Sequence, residues 1–175
     1  MQELIKISGQ NKSNFINVVD YTNLLVTKLN RFSEVEPQLN TIINQWEEKS
    51  IWKREERPDL YKQIDFNLWY AKYQLTLSSL KGKFDSKGLP LENIEFYKNE
   101  LKLIEALDEI YPNDVKIIYN IALLQIQIGE LEELKEISDK TLLTASDNLK
   151  KVINLDLNNE FTANAKENIE ILKNK

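Results

Sequence analysis

Four glycines and four prolines are all that punctuate 175 residues, and this scarcity constrains the fold more than any other feature. A sheet protein of this length needs many tight turns, which glycine and proline supply. The abundant Leu, Ile, Lys, Glu and Asn instead suit helices joined by short polar loops. The expectation is an all-α protein of about seven antiparallel hairpin helices. A 42% hydrophobic content beside 29% charge provides a real core for one medium domain or two small ones.

Apolar spacing divides the chain. Residues 1 to 12 read as a loosely held arm. Phe15, Val18, Val19, Leu25, Leu29 and Phe32 recur at helical spacing from a start near Ser13. Ser33 and Glu36 have capping-box spacing and open a second helix with the stripe Leu39, Ile42, Ile43 and Trp46. Pro58 begins a third helix, to about Lys81, broad enough in its apolar face to meet two neighbours, and a Lys/Gly/Ser linker follows to Leu89. A fourth helix spans about Leu91 to Tyr111. Asp114 caps a fifth, Val115 to about Ile128, which is apolar nearly all round and should be the most buried, with Gly129 as a left-handed stop. One long helix then keeps phase from Leu131 to Ile153, and a last one, about Asn159 to Asn174, carries a single thin stripe.

Within the fifth helix Ile118 and Ile121 are large, Ala122 is small, and Gly129 and Leu134 follow. Working backwards, Tyr97, Ile104, Leu107 and Pro112 fall in the same phase. From Tyr97 to Asn159 this pattern resembles the tetratricopeptide repeat, a helix-turn-helix unit of about 34 residues that stacks into a superhelix. Tyr111-Pro112-Asn113-Asp114 and Asp156-Leu157-Asn158-Asn159 are similar to that family's repeat junctions. The resemblance implies a short solenoid of degenerate repeats with a capping helix over 58–175, and an N-terminal arm and hairpin, 1–57, packed on it as one continuous domain. It also implies a shallow groove lined by first helices. The groove-facing slots are Lys116, Tyr119, Leu123, Ile126 and Gln127, where Leu123 and Ile126 form either an apolar docking surface or a face covered by the N-terminal helices, and Asn120 sits where chaperone-binding members place an asparagine that grips a peptide carboxylate. The companion lysines of that clamp are not matched, and Trp69 occupies its other asparagine slot.

The chain has no cysteine and no histidine, which removes disulfides, the usual zinc ligand sets and imidazole or thiol catalysis. Carboxylates remain, but Glu47-Glu48 and Glu55-Glu56 are adjacent pairs that point about 100° apart on a helix. Asp156, Asn158, Glu160 and Glu167 have calcium-loop spacing, yet Phe161 stands where the loop requires glycine. Lys49, Lys53, Arg54 and Arg57, near Trp46 and Trp52, form the best basic cluster, but flanking glutamates and a net charge of -5 argue against nucleic acid. Trp69 and Tyr73 at helical spacing read as core before ligand platform.

No catalytic residue, cofactor or metal is therefore expected. The chain reads as a non-enzymatic module that binds another protein or peptide, through the groove or an apolar helix face. A small carboxylate-based enzyme or ligand carrier and a self-associating structural subunit are the alternatives. No apolar run reaches the roughly 20 residues a bilayer span needs. Residues 1 to 14 hold no secretory apolar stretch, which points towards the cytoplasm, although a removed leader or a lipid anchor leaves the same trace.

Overall fold

The computed structural model describes residues 10–156 and 160–174, so most of the expected N-terminal arm lies outside the described residues. The described elements are helical, and the one extended pairing among them is an isolated antiparallel bridge, Phe84 to Pro90. The chain divides into two compact units between Ser79 and Leu80. The sequence-based division at 57/58 thus gives way to one at the end of the third helix, because Leu60, Ile64 and Ala71 of that helix complete the core of the first two.

In the first unit, α1 (Lys12–Leu24) is capped by Asn11, whose side chain accepts from the Asn14 N–H at 2.9 Å. It runs into a π-helical turn, Leu25–Leu29, that ends where Asn30 takes a left-handed φ of 52°. The anticipated Ser33–Glu36 capping box does not form. Ser33 lies in a 3-10 turn, Phe32–Glu34, and α2 (Val35–Gln45) starts directly after it, with Glu34 in the cap position and Pro37 in its first turn. Arg31 holds the Glu34 carboxylate with both its Nε and its Nη2, and Phe32 packs edge-on to Tyr70, so the segment is directed by those contacts. Then α3 (Pro58–Leu80) lays Leu60, Ile64 and Ala71 against Phe15, Val18, Val19, Leu25, Val35, Leu39 and Ile42, all buried. Phe66 and Trp69, on other sides of α3, are also buried, which fits the broad face expected of it.

In the second unit, the loop after α3 leads to α4 (Ile94–Ile110), capped by Asn93, whose side chain accepts from Phe96 N–H. Asp114 caps α5 (Val115–Leu131) as the sequence implies, accepting from the Lys116 and Ile117 N–H groups at 3.0 and 3.2 Å. This helix is the most buried, eleven of its residues being buried. It continues through Gly129, which has no left-handed φ, so the expected stop is corrected. The glycine is there because Leu142 of the next helix occupies the place of a β-carbon. The turn falls later, at Glu132 to Leu134, and α6 (Lys135–Leu155) is one unbroken helix. Leu134 consequently stands at its start, 62% exposed, rather than at a helix crossing.

Antiparallel packing of α5 on α6 follows from their pairings. Ser138 donates to the Gly129 carbonyl at 2.7 Å, and Asn148 donates to Gln125 at 2.9 Å, so one number rises as the other falls. Lys98 of α4 reaches Glu132 at the far end of α5 in the same sense. Last, α7 (Glu160–Lys173) rests on both α6 and α5. Ala122, Ala145 and Ala165 are fully buried together with Ile118, Leu149 and Val152, and such small side chains let helix axes approach. Successive helices of this unit each pack on the one before, a solenoid-like order.

Candidate functional site

The six candidate groove residues share one face of α5, and that face is covered. Tyr119, Asn120 and Ile126 are buried, while Lys116, Leu123 and Gln127 are half-buried. The cover is α7. The Tyr119 ring lies 5.2 Å from that of Phe161, its hydroxyl accepts from Asn168 Nδ2 at 3.3 Å, and Tyr119 and Ile126 share a core with Ala165 and Ile169. Asn120 donates its amide to the Lys116 carbonyl of its own helix at 2.8 Å, which engages one of the two N–H donors that a carboxylate clamp would use.

An open apolar surface exists elsewhere in this unit. Leu142, Leu143 and Ser146 of α6 face Ile169 and Leu172 of α7 around a cleft of about 270 Å³, with Asp139 and Lys173 at its edge. Leu143 is 62% exposed and Ile169 only 8%, so the cleft has a fixed floor and an accessible wall. Sequence reasoning missed it. The available signal was Leu143 itself, a leucine out of phase with the buried stripe Ala145, Leu149 and Val152.

The basic cluster of the first unit is neutralised locally. Lys53 bonds Glu48 at 2.7 Å, Lys49 bonds Glu47 at 2.8 Å, Arg57 bonds Asp59 at 2.6 Å, and Arg54 grips Asp65 with both its terminal nitrogens. Hydrogen bonding to their acids holds Lys49, Lys53 and Arg57 above their usual range, and the bond from Lys53 holds Glu48 below its own. Lys12 stands 4.1 Å over the Trp52 ring and Arg57 5.8 Å from it, a cation–π arrangement that pins the irregular stretch between α2 and α3. A cleft of about 370 Å³ here is lined by Lys12, Lys49 and Lys53 with Glu48, Glu56 and Ile51, so it presents mixed charge. Trp69 and Tyr73 stack on one another, centroids 5.6 Å apart and planes 3° from parallel, within a row that includes Phe66 and Tyr70. Their faces are engaged with each other.

Among the described residues no three carboxylates converge as metal ligands. Of the calcium-spaced set, Asn158 lies outside the described residues, and Asp156 contributes its backbone carbonyl to the Thr162 hydroxyl. No described helix is long and apolar enough to cross a membrane. Compared with family models, curated proteins and solved structures, the chain matches none.

Proposed function

We propose that this chain is a non-enzymatic helical scaffold, similar in plan to tetratricopeptide-repeat proteins, that receives an amphipathic helix of another protein in the cleft between α6 and α7. One observation carries the reading: Leu142, Leu143, Ile169 and Leu172 surround an unfilled apolar space between two adjacent helices. The occupant is argued from the packing order. Each helix of the second unit lies on its predecessor, and α7 touches both α5 and α6, so one more helix laid over α6 and α7 repeats the arrangement. Covering Leu143, which is mostly exposed, contributes about 1–2 kcal/mol, and the half-buried Leu172 adds less than about 1 kcal/mol. The lack of histidine and cysteine supports a binding role over catalysis.

The test is chemical crosslinking with mass spectrometry in the native cell, comparing the wild-type chain with Leu143→Asp. Leu143 is mostly exposed, so the variant keeps its fold. The expected result is a helical partner crosslinked beside α6 and α7 whose recovery collapses in L143D. Equal recovery from both chains, or strong small-molecule turnover with no protein partner, refutes the reading. Light scattering that reports a dimer lost in L143D replaces the foreign helix by a second copy.

A further inference from the structure

A second surface, apart from that cleft, lies in the loop that opens the second unit. Residues 81–90 are all exposed, yet the loop is ordered by its own bonds. Asp85 N–H donates to the Leu89 carbonyl at 2.8 Å, Leu91 N–H to the Lys83 carbonyl at 2.9 Å, and Gly88 N–H to the Asp85 carbonyl at 3.1 Å. The Asp85 carboxylate accepts from the Lys87 and Leu89 N–H groups at 2.8 and 2.9 Å, and Gly88 has the left-handed φ of 79° that closes such a turn. The result is a small preformed hairpin. A preformed element loses little conformational entropy on binding.

Apart from Asp85, its large side chains pack on nothing: all of 81–90 is exposed. Phe84 is 62% exposed and Leu89 59%. Lys81, Lys83 and Lys87 form no ion pair among the described residues, and the one acid of the loop, Asp85, is occupied by the turn. A chain of net charge -5 thus carries, in one exposed loop with an exposed aromatic ring, three lysines against a single carboxylate. We infer that this hairpin docks, through Phe84 and the loop lysines Lys81, Lys83 and Lys87, on an acidic surface of a partner protein. Charge complementarity selects the acidic partner. The order of residues selects protein over lipid: the tip is Asp85-Ser86-Lys87, and Phe84 and Leu89 flank it one step back. Tip-first entry into a bilayer takes charges in ahead of the apolar groups, whereas side-on docking places Phe84 alone in a pocket, as an aromatic anchor with a polar rim.

The test pans a random peptide library against the immobilised full-length chain and measures the selected peptides by fluorescence anisotropy. The expected peptides are rich in Asp and Glu. Their affinity falls at least tenfold in Phe84→Ala and in the triple variant K81E/K83E/K87E, falls with rising salt for the wild type, and is unchanged in L143D. Thermal melts of the loop variants match the wild type, since these side chains are exposed; the salt titration needs no variant at all. Absence of enriched peptides, neutral or basic selections, or affinity indifferent to the loop variants overturns the inference. So does sedimentation with phosphatidylserine vesicles that F84A abolishes, which assigns the hairpin to a membrane. The L143D arm separates this surface from the cleft, so either reading can fail alone.

Discussion

Gly129 of α5 lies so close to Leu142 of α6 that a β-carbon there would stand 2.6 Å from Leu142 Cδ2 and 2.7 Å from its Cγ. Both are closer than carbon atoms approach, and because Cγ is involved the whole side chain has to turn aside. Leu142 also lines the open cleft, so the glycine sets the position of that wall as well as the spacing of the two helices.

Gly129→Ala is therefore expected to destabilise the chain by about 1–2 kcal/mol, overpacking outweighing the roughly 1 kcal/mol that alanine gains over glycine inside a helix. In a Leu142→Ala background the obstruction is gone and the same substitution becomes neutral or stabilising. Urea unfolding of the four chains of this cycle checks both halves. A Gly129→Ala penalty that persists unaltered in the L142A background contradicts the contact.

Ile169 and Ile171, two positions apart on α7, provide a second contrast. Ile169 is 8% exposed in the α5–α6–α7 core, whereas Ile171 is 48% exposed. Ile169→Ala is expected to cost about 2–4 kcal/mol by leaving a cavity, and Ile171→Ala less than about 0.5 kcal/mol. Hydrogen exchange in I169A should show faster exchange along 160–173 and at Tyr119, whose ring α7 covers. Equal losses from the two substitutions contradict the docking of α7 on α5.

Much of this arrangement was legible in the residues. The Asp114 cap, the buried character of α5, the unbroken helix through Ser146-Asp147-Asn148 and the thin stripe of α7 follow from local chemistry and a 3.6-residue period, which act within one element. The errors fall where a distant partner decides. Gly129 reads as a stop until Leu142 is known to lie against it. Ser33 reads as a cap until Phe32 meets Tyr70 of α3. The groove slots on α5 follow from a register alone, and which element covers them, α7 rather than the N-terminal helices, is a tertiary matter that no spacing within α5 records. Leu143 escaped notice because a single leucine off the stripe is ordinary on a surface.

Two carboxylates should give opposite acid responses. Glu56 accepts from the Lys53 backbone N–H at 2.8 Å and faces Lys12, which hold it below its ordinary range. A depressed folded value means its stabilisation is present above the ordinary carboxylate range and is lost as pH falls through that range and the folded value below it. Glu105 is raised, first by partial burial and then by Asp108 and Glu109. Its folded form holds the proton more tightly, so its contribution is present in acid and lost as pH rises through the raised value. Glu56→Gln should flatten the acid limb of a stability–pH profile, and Glu105→Gln should match or exceed the wild type near neutrality with the gain vanishing in acid. Urea midpoints followed from neutral pH into acid decide the signs; identical profiles for both variants contradict the assignment.

Between α1 and α3, Thr22 and Asn67 are both completely buried polar residues. The Thr22 hydroxyl donates to the Val19 carbonyl at 2.8 Å and accepts from Asn67 Nδ2 at 3.4 Å, while Asn67 Oδ1 has no partner. Thr22→Val keeps the shape but strips the amide of this bond, and an orphaned buried polar group costs about 1–3 kcal/mol. Replacing the amide as well, in T22V/N67L, removes the orphan and should regain part of that loss, so the two substitutions are strongly non-additive. Denaturation of the single and double variants measures the coupling. Additive losses place no working hydrogen bond between these helices, and a T22V chain as stable as the wild type leads to the same conclusion.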